Sequence, residues 1–524
     1  MNWPIKHQAC IPNSELCSIQ PEARGCSRYG ALGILAAVLL QPWVAVGSWA
    51  QDVVPQQIPN VLLVIVDDLR PQLGAYGLES MHTPNIDRLA GEGLLFRRAY
   101  AQWPVCGPSR SSMLSGLRPD STGIYSGSQR LDSSDAQVVS LPAYFRRSGY
   151  RTLSVGKVYH ARDEDPQAWS EPPWHVAPND DNWQGYASRE SHELRIRLWE
   201  EALAEDPDAQ FYQFNAGAVE HANLPESNYR DGKIAAKAVE LLRGNADQPF
   251  FLAVGFVKPH LPFAAPDRYW DLYDRRAIKP MGNSARPEGT TEIPYVYSEL
   301  ESYAGIPSNN GLTREQVLEL THGYFAAVSF IDAQVGKLLD ELDRLDIRNN
   351  TIVALVGDHG FHLGEQGIWA KHSLFELSSQ TPLIVSVPGQ QTAGATTNAL
   401  VELIDIYPSL VELAGLDPSP RFDGKSFVPL IDDPERPWKV AALSQYRHFM
   451  DPYREIMGHS IRTERYRYSL WRDTARQGAV YARELYDLGA RSSESVNLAD
   501  DPAYRDMVRN LTSRIDAMMS ESTP

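Results

Sequence analysis

The chain has 524 residues, of which 43% are hydrophobic, so it is long enough for one large domain or two unequal ones with a sizeable core. Its formal net charge of -17 argues against a nucleic-acid partner, because a phosphate backbone is held by basic surface. An anionic substrate would therefore need cations gathered locally in its pocket.

Residues 1–50 are predicted to be a targeting segment. Arg24 and Arg28 precede an apolar run from Ala31 to Leu40, and Ser48-Trp49-Ala50 places small residues before a cleavage site. Because the run is too short for a comfortable membrane span, we expect export without stable membrane insertion. An uncleaved anchor is the alternative.

Cysteine usage singles out one thiol. Cys10, Cys17 and Cys26 lie in the predicted leader, so the mature chain would keep Cys106 alone. Without a partner it cannot form an internal disulfide, which leaves a buried apolar filler, a nucleophile or a modified side chain. A helix is predicted through Ser111 to Leu117, and its start would place Cys106 where unpaired N–H groups favour an anion.

Continuous apolar runs of β-forming residues predict strands that are buried on both faces of a parallel sheet. Amphipathic helices are predicted between them. The fold class is therefore α/β, with a large, mostly parallel sheet flanked by helices. The predicted strands are Asn60–Val66, Tyr150–Val155, Pro249–Phe256, Thr351–Val356 and Leu383–Val387, and the main predicted helices are Lys233–Arg243 and Thr313–Leu345.

Polar side chains follow four of these strands. A single Asp-Asp pair is usually a solvated loop, and a single His after a strand is usually a hydrogen-bonded loop residue. Because the carboxyl ends of parallel strands share one edge of a sheet, four such placements together predict a site there. The residues are Asp67 and Asp68, Lys157 and His160, Lys258 and His260, and Asp358 and His359.

The residue types sort these groups by chemistry. Carboxylates are hard oxygen ligands that suit Ca²⁺ or Mg²⁺, and they are supplied by Asp67, Asp68 and Asp358. Cations that can neutralise a substrate oxyanion are Arg110, Lys157 and Lys371. Side chains that can exchange protons near neutral pH are His160 and His260.

The sequence resembles the type I sulfatase family. Cys106-Gly107-Pro108-Ser109-Arg110 with Leu114-Ser115-Gly116 is similar to the family signature, with Ser115 where Thr is commoner. The resemblance covers nearly the whole mature chain and is strongest to the iduronate 2-sulfatase branch and its bacterial relatives. Further matching strings are Val64–Arg70, Ser154–His160, Lys258–Phe263, Gly357–Gly360, Trp369–Lys371 and Ile456–Thr463.

This resemblance implies an alkaline-phosphatase-like sulfatase fold, one bound Ca²⁺ and conversion of Cys106 to formylglycine by a formylglycine-generating enzyme. The implied metal ligands are Asp67, Asp68, Cys106, Asp358 and His359. Arg110 and Lys157 would hold the sulfate. His260 and Lys371 would face the leaving oxygen and help to protonate it, and His160 would take the proton whose loss releases sulfate.

A smaller C-terminal subdomain is expected from residue 439 to residue 524, after a catalytic domain spanning residues 51–438. Ile461 to Trp471 alternates in part, which is typical of an antiparallel strand, and Ala503 to Met519 is predicted to be helical. We expect a four-stranded antiparallel sheet packed on the larger domain.

The expected function is hydrolysis of a sulfate ester on a sulfated sugar, such as a 2-O-sulfated uronate in a polysaccharide, by a periplasmic or secreted enzyme. Two alternatives stay open. One is phosphodiester or phosphonate monoester hydrolysis within the same superfamily. The other is a non-catalytic glycan-binding protein, which is disfavoured because every expected catalytic position is filled.

Overall fold

The structure is a computed structural model that describes residues 58–134, 138–160, 164–177, 185–308, 311–417, 421–451, 454–490 and 493–522. The predicted leader and its cleavage site lie outside these ranges. Within them, no helix combines the length and the apolar character that crossing a membrane requires.

Seven strands form the main sheet in the spatial order β7-β2-β6-β5-β1-β4-β3. β3, β4, β1 and β5 are parallel neighbours, β2 and β7 are parallel to each other, and β6 runs antiparallel to both β5 and β2. The strands are β1 (Asn60–Val66), β2 (Leu94–Tyr100), β3 (Arg151–Gly156), β4 (Phe250–Phe256), β5 (Thr351–Gly357), β6 (Gln380–Ser386) and β7 (Thr396–Glu402). The predicted α/β class with a mostly parallel sheet is confirmed.

Burial on both faces explains why β1 is apolar without alternation. Leu62, Val64 and Val66 join the hydrophobic core on one side of the sheet. Val61, Leu63 and Ile65 point the other way and join the core on the opposite side. The continuous apolar run predicted β1 with the bounds that the structure shows. The strands β2 and β7 were not predicted, because polar residues interrupt their apolar runs.

Helices cover the two faces of the sheet. The longest, α6, begins where Thr313 caps it, since the Thr313 hydroxyl accepts from Gln316 N and the Gln316 side chain accepts from Thr313 N. The helices are α1 (Pro84–Glu92), α2 (Cys106–Ser115), α3 (Leu141–Arg147), α4 (Arg189–Glu205), α5 (Arg230–Asn245), α6 (Arg314–Arg344), α7 (Ile406–Leu413) and α8 (Arg505–Ser522). Shorter helices are Pro119–Thr122, Asp267–Trp270, Glu376–Ser379 and Val428–Asp432.

A second sheet of four antiparallel strands lies in the C-terminal part, in the order β8-β9-β10-β11. Its strands are β8 (Ala441–Asp451), β9 (Arg454–Thr463), β10 (Tyr466–Asp473) and β11 (Ala479–Asp487). Helix α8 packs on it through Leu511 and Ile515. The domain division at residue 439 stays a prediction. The remaining strands of the described residues form three two-stranded sheets: Asn215–Gly217 with Tyr303–Ala304, Val219–Ala222 with Phe263–Pro266, and His362–Leu363 with Trp369–Ala370.

Gly255 in β4 lets the loop after β3 cross close to the sheet. A Cβ atom added at Gly255 would lie 1.9 Å from the carbonyl oxygen of Lys157, far inside a normal contact. The backbone of Lys157 can lie this close to β4 only because residue 255 has no side chain.

Gly255→Ala should lower the free energy of unfolding by about 1–3 kcal/mol, because the methyl group must displace this backbone. Chemical denaturation measures the change. Gly244→Ala is the matched control: it lies in α5 with nothing within 4 Å of the added Cβ, so stability should stay equal or rise. Equal behaviour of the two variants would contradict the close-approach argument.

Candidate active site

The carboxyl ends of four adjacent strands deliver the predicted groups to one edge of the sheet. The hydrogen-bond ladder continues one residue beyond the strands, with Asp67 N donating to Phe256 O at 3.2 Å and Asp358 N donating to Val66 O at 3.2 Å. Asp67 and Asp358 are thereby fixed side by side, and both side chains are fully buried. The structure therefore brings together the strand ends that the sequence pattern had singled out.

Cys106 is the first residue of α2, so the helix begins earlier than the sequence analysis placed it. Its Sγ lies 3.3 Å from His359 Nε2 and 3.6 Å from Lys371 Nζ. The buried thiol is thus surrounded by ionisable groups rather than by hydrocarbon. Burial, and next the Asp67 carboxylate, raise the pKa of this thiol well above its ordinary value, so an unmodified Cys106 would be a poor nucleophile at neutral pH.

The thiol and three neighbouring side chains form a group of four potential ligands. One ligand atom from each of Asp67, Cys106, Asp358 and His359 lies within 4.8 Å of every other. Asp68 adjoins them, because its backbone N donates to Asp358 Oδ1 at 3.1 Å and its Oδ1 lies 3.4 Å from His359 Nε2. Three buried carboxylates beside one imidazole form an oxygen-rich donor set that fits a hard divalent cation such as Ca²⁺ or Mg²⁺.

Three cations compensate these carboxylates. Arg110 Nε donates to Asp358 Oδ2 at 2.8 Å, and Arg110 Nη2 lies 3.3 Å from Asp67 Oδ1. Lys157 pairs with Asp67. Burial raises the pKa of the Asp67 carboxyl, but Lys157 and then Arg110 outweigh burial and hold that pKa well below its ordinary value.

Lys371 supplies the third cation. Its Nζ donates to both oxygens of Asp68, at 2.8 and 3.0 Å. These three carboxylates and three cations balance in charge, and the Glu299 carboxylate beside Lys371 adds one negative charge. A divalent cation added to the group would therefore leave a positive excess. Such an excess would attract a substrate oxyanion despite the acidic charge of the whole chain.

The two predicted proton carriers lie on different sides of this cluster. His260 lies near Lys371, and burial, followed by the charge of Lys371, lowers the pKa of its imidazole. His160 is exposed and contacts Gly127, whose added Cβ would lie 2.9 Å from His160 Nε2. Partial desolvation and then Lys157 lower the pKa of His160 to about 4, which leaves it an unprotonated base at neutral pH.

One group that follows a strand does not face the site. Lys258 Nζ donates to the carbonyl oxygens of His260 and Pro262, each at 2.7 Å, and the residue is buried. It shapes the loop that carries His260. The placement of Lys258 after a strand could not distinguish this role from one in the pocket, because only the folded loop shows where the ammonium group points.

Glu299 and His372 complete the polar wall of the pocket, and neither was predicted from the sequence. Glu299 lies 3.3 Å from both His260 Nε2 and Lys371 Nζ, and His372 Nε2 lies 3.6 Å from Glu299. Glu299 occurs in a segment without periodic pattern, so no signal marked it. His372 directly follows Lys371, and that adjacency was the one available signal.

The fold is of the α/β class, and its candidate site packs cations against buried carboxylates at the carboxyl edge of the main sheet. Residues 59–416 match the profile of the Sulfatase family, and residues 364–521 match that of the N-sulphoglucosamine sulphohydrolase C-terminal region. The chain belongs to the sulfatase family and is a sulfatase, an enzyme that hydrolyses sulfate esters.

Relatives and solved structures agree with this membership. The chain is 32% identical to iduronate 2-sulfatase of Homo sapiens over 91% of its own length and 98% of that protein's. It is 30% identical to a sulfatase of Formosa agariphila, over 86% and 85% of the two lengths. The crystal structure of a phosphonate monoester hydrolase of Agrobacterium radiobacter superposes with a TM-score of 0.70 at 22% identity, covering 89% of this chain and 96% of that one. The expected sulfatase fold is confirmed, while the roles of individual residues stay predictions.

Calcium should raise the thermal unfolding temperature of the protein, and a chelator should reverse the rise. At roughly 100 times its dissociation constant a bound ion stabilises the folded state by about 2.7 kcal/mol. Asp68→Asn, which weakens the donor set, should reduce or abolish the shift in differential scanning fluorimetry. Asp332→Asn is the control and should keep the calcium shift, because Asp332 accepts from Asn85 N and Ile86 N at the start of α1 and is not one of the proposed ligands. A calcium shift unchanged in Asp68→Asn would contradict the proposed ligand set.

Proposed function

We propose that this sulfatase removes sulfate from a sulfated sugar by means of a formylglycine formed from Cys106, with one bound Ca²⁺. The observation that carries the proposal is the position of Cys106: a single buried side chain at a helix N-terminus, 3.6 Å from Lys371 Nζ and among four potential metal ligands. The groups around Cys106 that are described above are ionisable, whereas a cysteine with a purely structural role needs no such neighbours.

The residues present fit a divalent cation and a modified Cys106. Asp67, Asp68, Asp358 and His359 would hold the cation, together with residue 106. The cation would polarise the sulfate oxygens and offset charge that develops on them. Formylglycine, when hydrated, would supply a hydroxyl group as the nucleophile. The high pKa of the Cys106 thiol argues against its sulfur in that role.

The surrounding side chains divide the remaining work. Arg110 and Lys157 hold the sulfate oxygens through charge, and both already lie against the carboxylate cluster. The leaving sugar oxygen takes one proton, from the Lys371 ammonium group or from His260 when its ring is protonated. His160, unprotonated above about pH 4 at the open side of the site, accepts the proton whose loss frees the sulfate.

Two features support the substrate class and location. The similarity to human iduronate 2-sulfatase extends over 98% of that protein, which favours a 2-O-sulfated uronate or a related polysaccharide unit as the substrate. The apolar run after Arg28 favours export to the periplasm or beyond, where a polysaccharide would be met. A formylglycine-generating enzyme would act on the chain during maturation.

The proposal is tested by mass spectrometry of the Cys106 peptide together with turnover of paired esters. The peptide should show the mass loss that accompanies conversion of the thiol to an aldehyde. Defined sulfated oligosaccharides should release sulfate, whereas the corresponding phosphate and phosphonate esters should react at least tenfold more slowly. Faster release of phosphate would favour the alternative hydrolase, and an unmodified thiol without any turnover would favour a glycan-binding protein.

Cys106→Ala should abolish sulfate release while leaving the fold intact. The side chain is small and its removal opens only a modest cavity, so the unfolding temperature should change little. Circular dichroism and sulfate release measure the two effects. Ser112→Ala, on the same helix, is the control that should retain activity. Turnover retained in Cys106→Ala would contradict the assignment of the nucleophile.

His160→Gln should lower kcat roughly 100-fold, the lower range for losing a general base, and should lower kcat/KM less. The reason is that His160 acts after the bond to the sugar has broken. In the unchanged enzyme, kcat should rise as the pH passes through about 4, where His160 loses its proton. Steady-state kinetics between acidic and neutral pH measure both effects. An equal loss in kcat and kcat/KM would instead place His160 in the step that breaks the bond to the sugar, and would contradict its assignment to sulfate release.

A further inference from the structure

Glu299 joins the two side chains that face the leaving oxygen. Its Oε1 lies 3.3 Å from His260 Nε2, and its Oε2 lies 3.3 Å from Lys371 Nζ. Its side chain is only 16% exposed. Burial raises the pKa of its carboxyl, but Lys371 and then His260 outweigh burial and hold that pKa well below its ordinary value, so the group is a carboxylate.

The His260 ring is held at both nitrogens. Its Nδ1 lies 2.7 Å from the carbonyl oxygen of Leu261, and because a carbonyl only accepts, Nδ1 carries a proton and donates it. Its Nε2 is directed toward Glu299 Oε1. The Leu261 carbonyl fixes one edge of the ring. Glu299 fixes the other edge when Nε2 carries a proton, and its negative charge favours that protonated ring.

The Lys371 ammonium group is held between two carboxylates. Asp68 accepts from it at 2.8 and 3.0 Å on one side, and Glu299 lies at 3.3 Å on the other, with Cys106 Sγ at 3.6 Å. Without Glu299, only Asp68 and the other carboxylates of the cluster, such as Asp67, would attract the ammonium group. Glu299 therefore draws it toward His260, the side on which the proposed function puts the leaving oxygen.

Glu299 also lies beside His372, which contacts the C-terminal sheet. His372 Nε2 lies 3.6 Å from Glu299 Oε2, and His372 Nδ1 lies 3.0 Å from the hydroxyl group of Tyr446, a residue of β8. The edge of the Tyr297 ring packs against His372, with the ring centroids 4.7 Å apart. These contacts limit where the Glu299 carboxylate can move.

We propose that Glu299 is a positioning residue that aims His260 and Lys371 at the leaving oxygen. This inference rests on the proposed function. When the bond between sulfur and the sugar oxygen breaks, the oxygen keeps the bonding electron pair and takes a proton from one of the two donors. Glu299 sets the direction of both donors and forms no bond to the substrate.

The test compares Glu299→Gln, Glu299→Asp and the control Glu301→Gln, an exposed position two residues away. Two substrates are used: a sulfated oligosaccharide, whose alkoxide leaving group needs a proton, and 4-nitrophenyl sulfate, whose leaving group needs little protonation. Glu299→Gln should lose roughly 100-fold in kcat/KM on the sugar ester and at most a few-fold on the aryl ester. Glu299→Asp should recover part of the loss, and Glu301→Gln should behave as the unchanged enzyme.

An equal loss on both esters, or no loss on either, would overturn the inference, because a general structural role does not depend on the leaving group. The imidazole NMR signals of His260 give a second readout that needs no turnover. They should broaden or shift in Glu299→Gln, and an unchanged ring environment would also overturn the inference. Failure of the unchanged enzyme to release sulfate from either ester would count against the proposed function instead.

Discussion

The site depends on the packing of three buried carboxylates against three cations at the carboxyl ends of adjacent parallel strands. Burying Asp67 and Asp358 costs free energy that only close partners can offset. Arg110 meets both carboxylates, Lys157 meets Asp67, and Lys371 meets Asp68. The parallel order β3-β4-β1-β5 makes this arrangement possible, because it brings residues nearly 300 positions apart to one edge. Because the cations nearly offset the carboxylates, a divalent cation held there, as proposed, would make the pocket positive.

The surroundings of Cys106 explain why its own sulfur is a weak candidate for the nucleophile. Thiolates are stabilised by neighbouring positive charge, and α2 places this thiol near Lys157 and Lys371. Burial and the carboxylates dominate, however, and raise its pKa. An unmodified Cys106 is therefore held mainly as the neutral thiol. The proposed conversion to formylglycine would put an oxygen nucleophile in its place.

The C-terminal sheet contributes to the pocket as well as to stability. β8 carries Tyr446, which reaches His372, and His372 in turn lies against Glu299. Nearby, the buried Arg467 of β10 pairs with Glu376, the first residue of the short helix that follows the Lys371 loop. These contacts connect the second sheet to the loop that presents Lys371. The part of the chain with the least catalytic signal in its sequence therefore supports the loop that carries Lys371 and His372.

The sequence by itself determined the buried strands and the residues at their ends, because burial on both faces demands continuous apolar runs and leaves the first polar residues at the edge of the sheet. Asp67, Asp68, Lys157 and Asp358 were identified in this way, whereas Cys106 was singled out as the one cysteine outside the predicted leader. Only the tertiary structure decided that β6 runs against its neighbours, that Lys258 turns away, and that Glu299 joins the site. Strand direction and side-chain orientation in irregular loops depend on long-range packing, and a local pattern of residues carries no record of it.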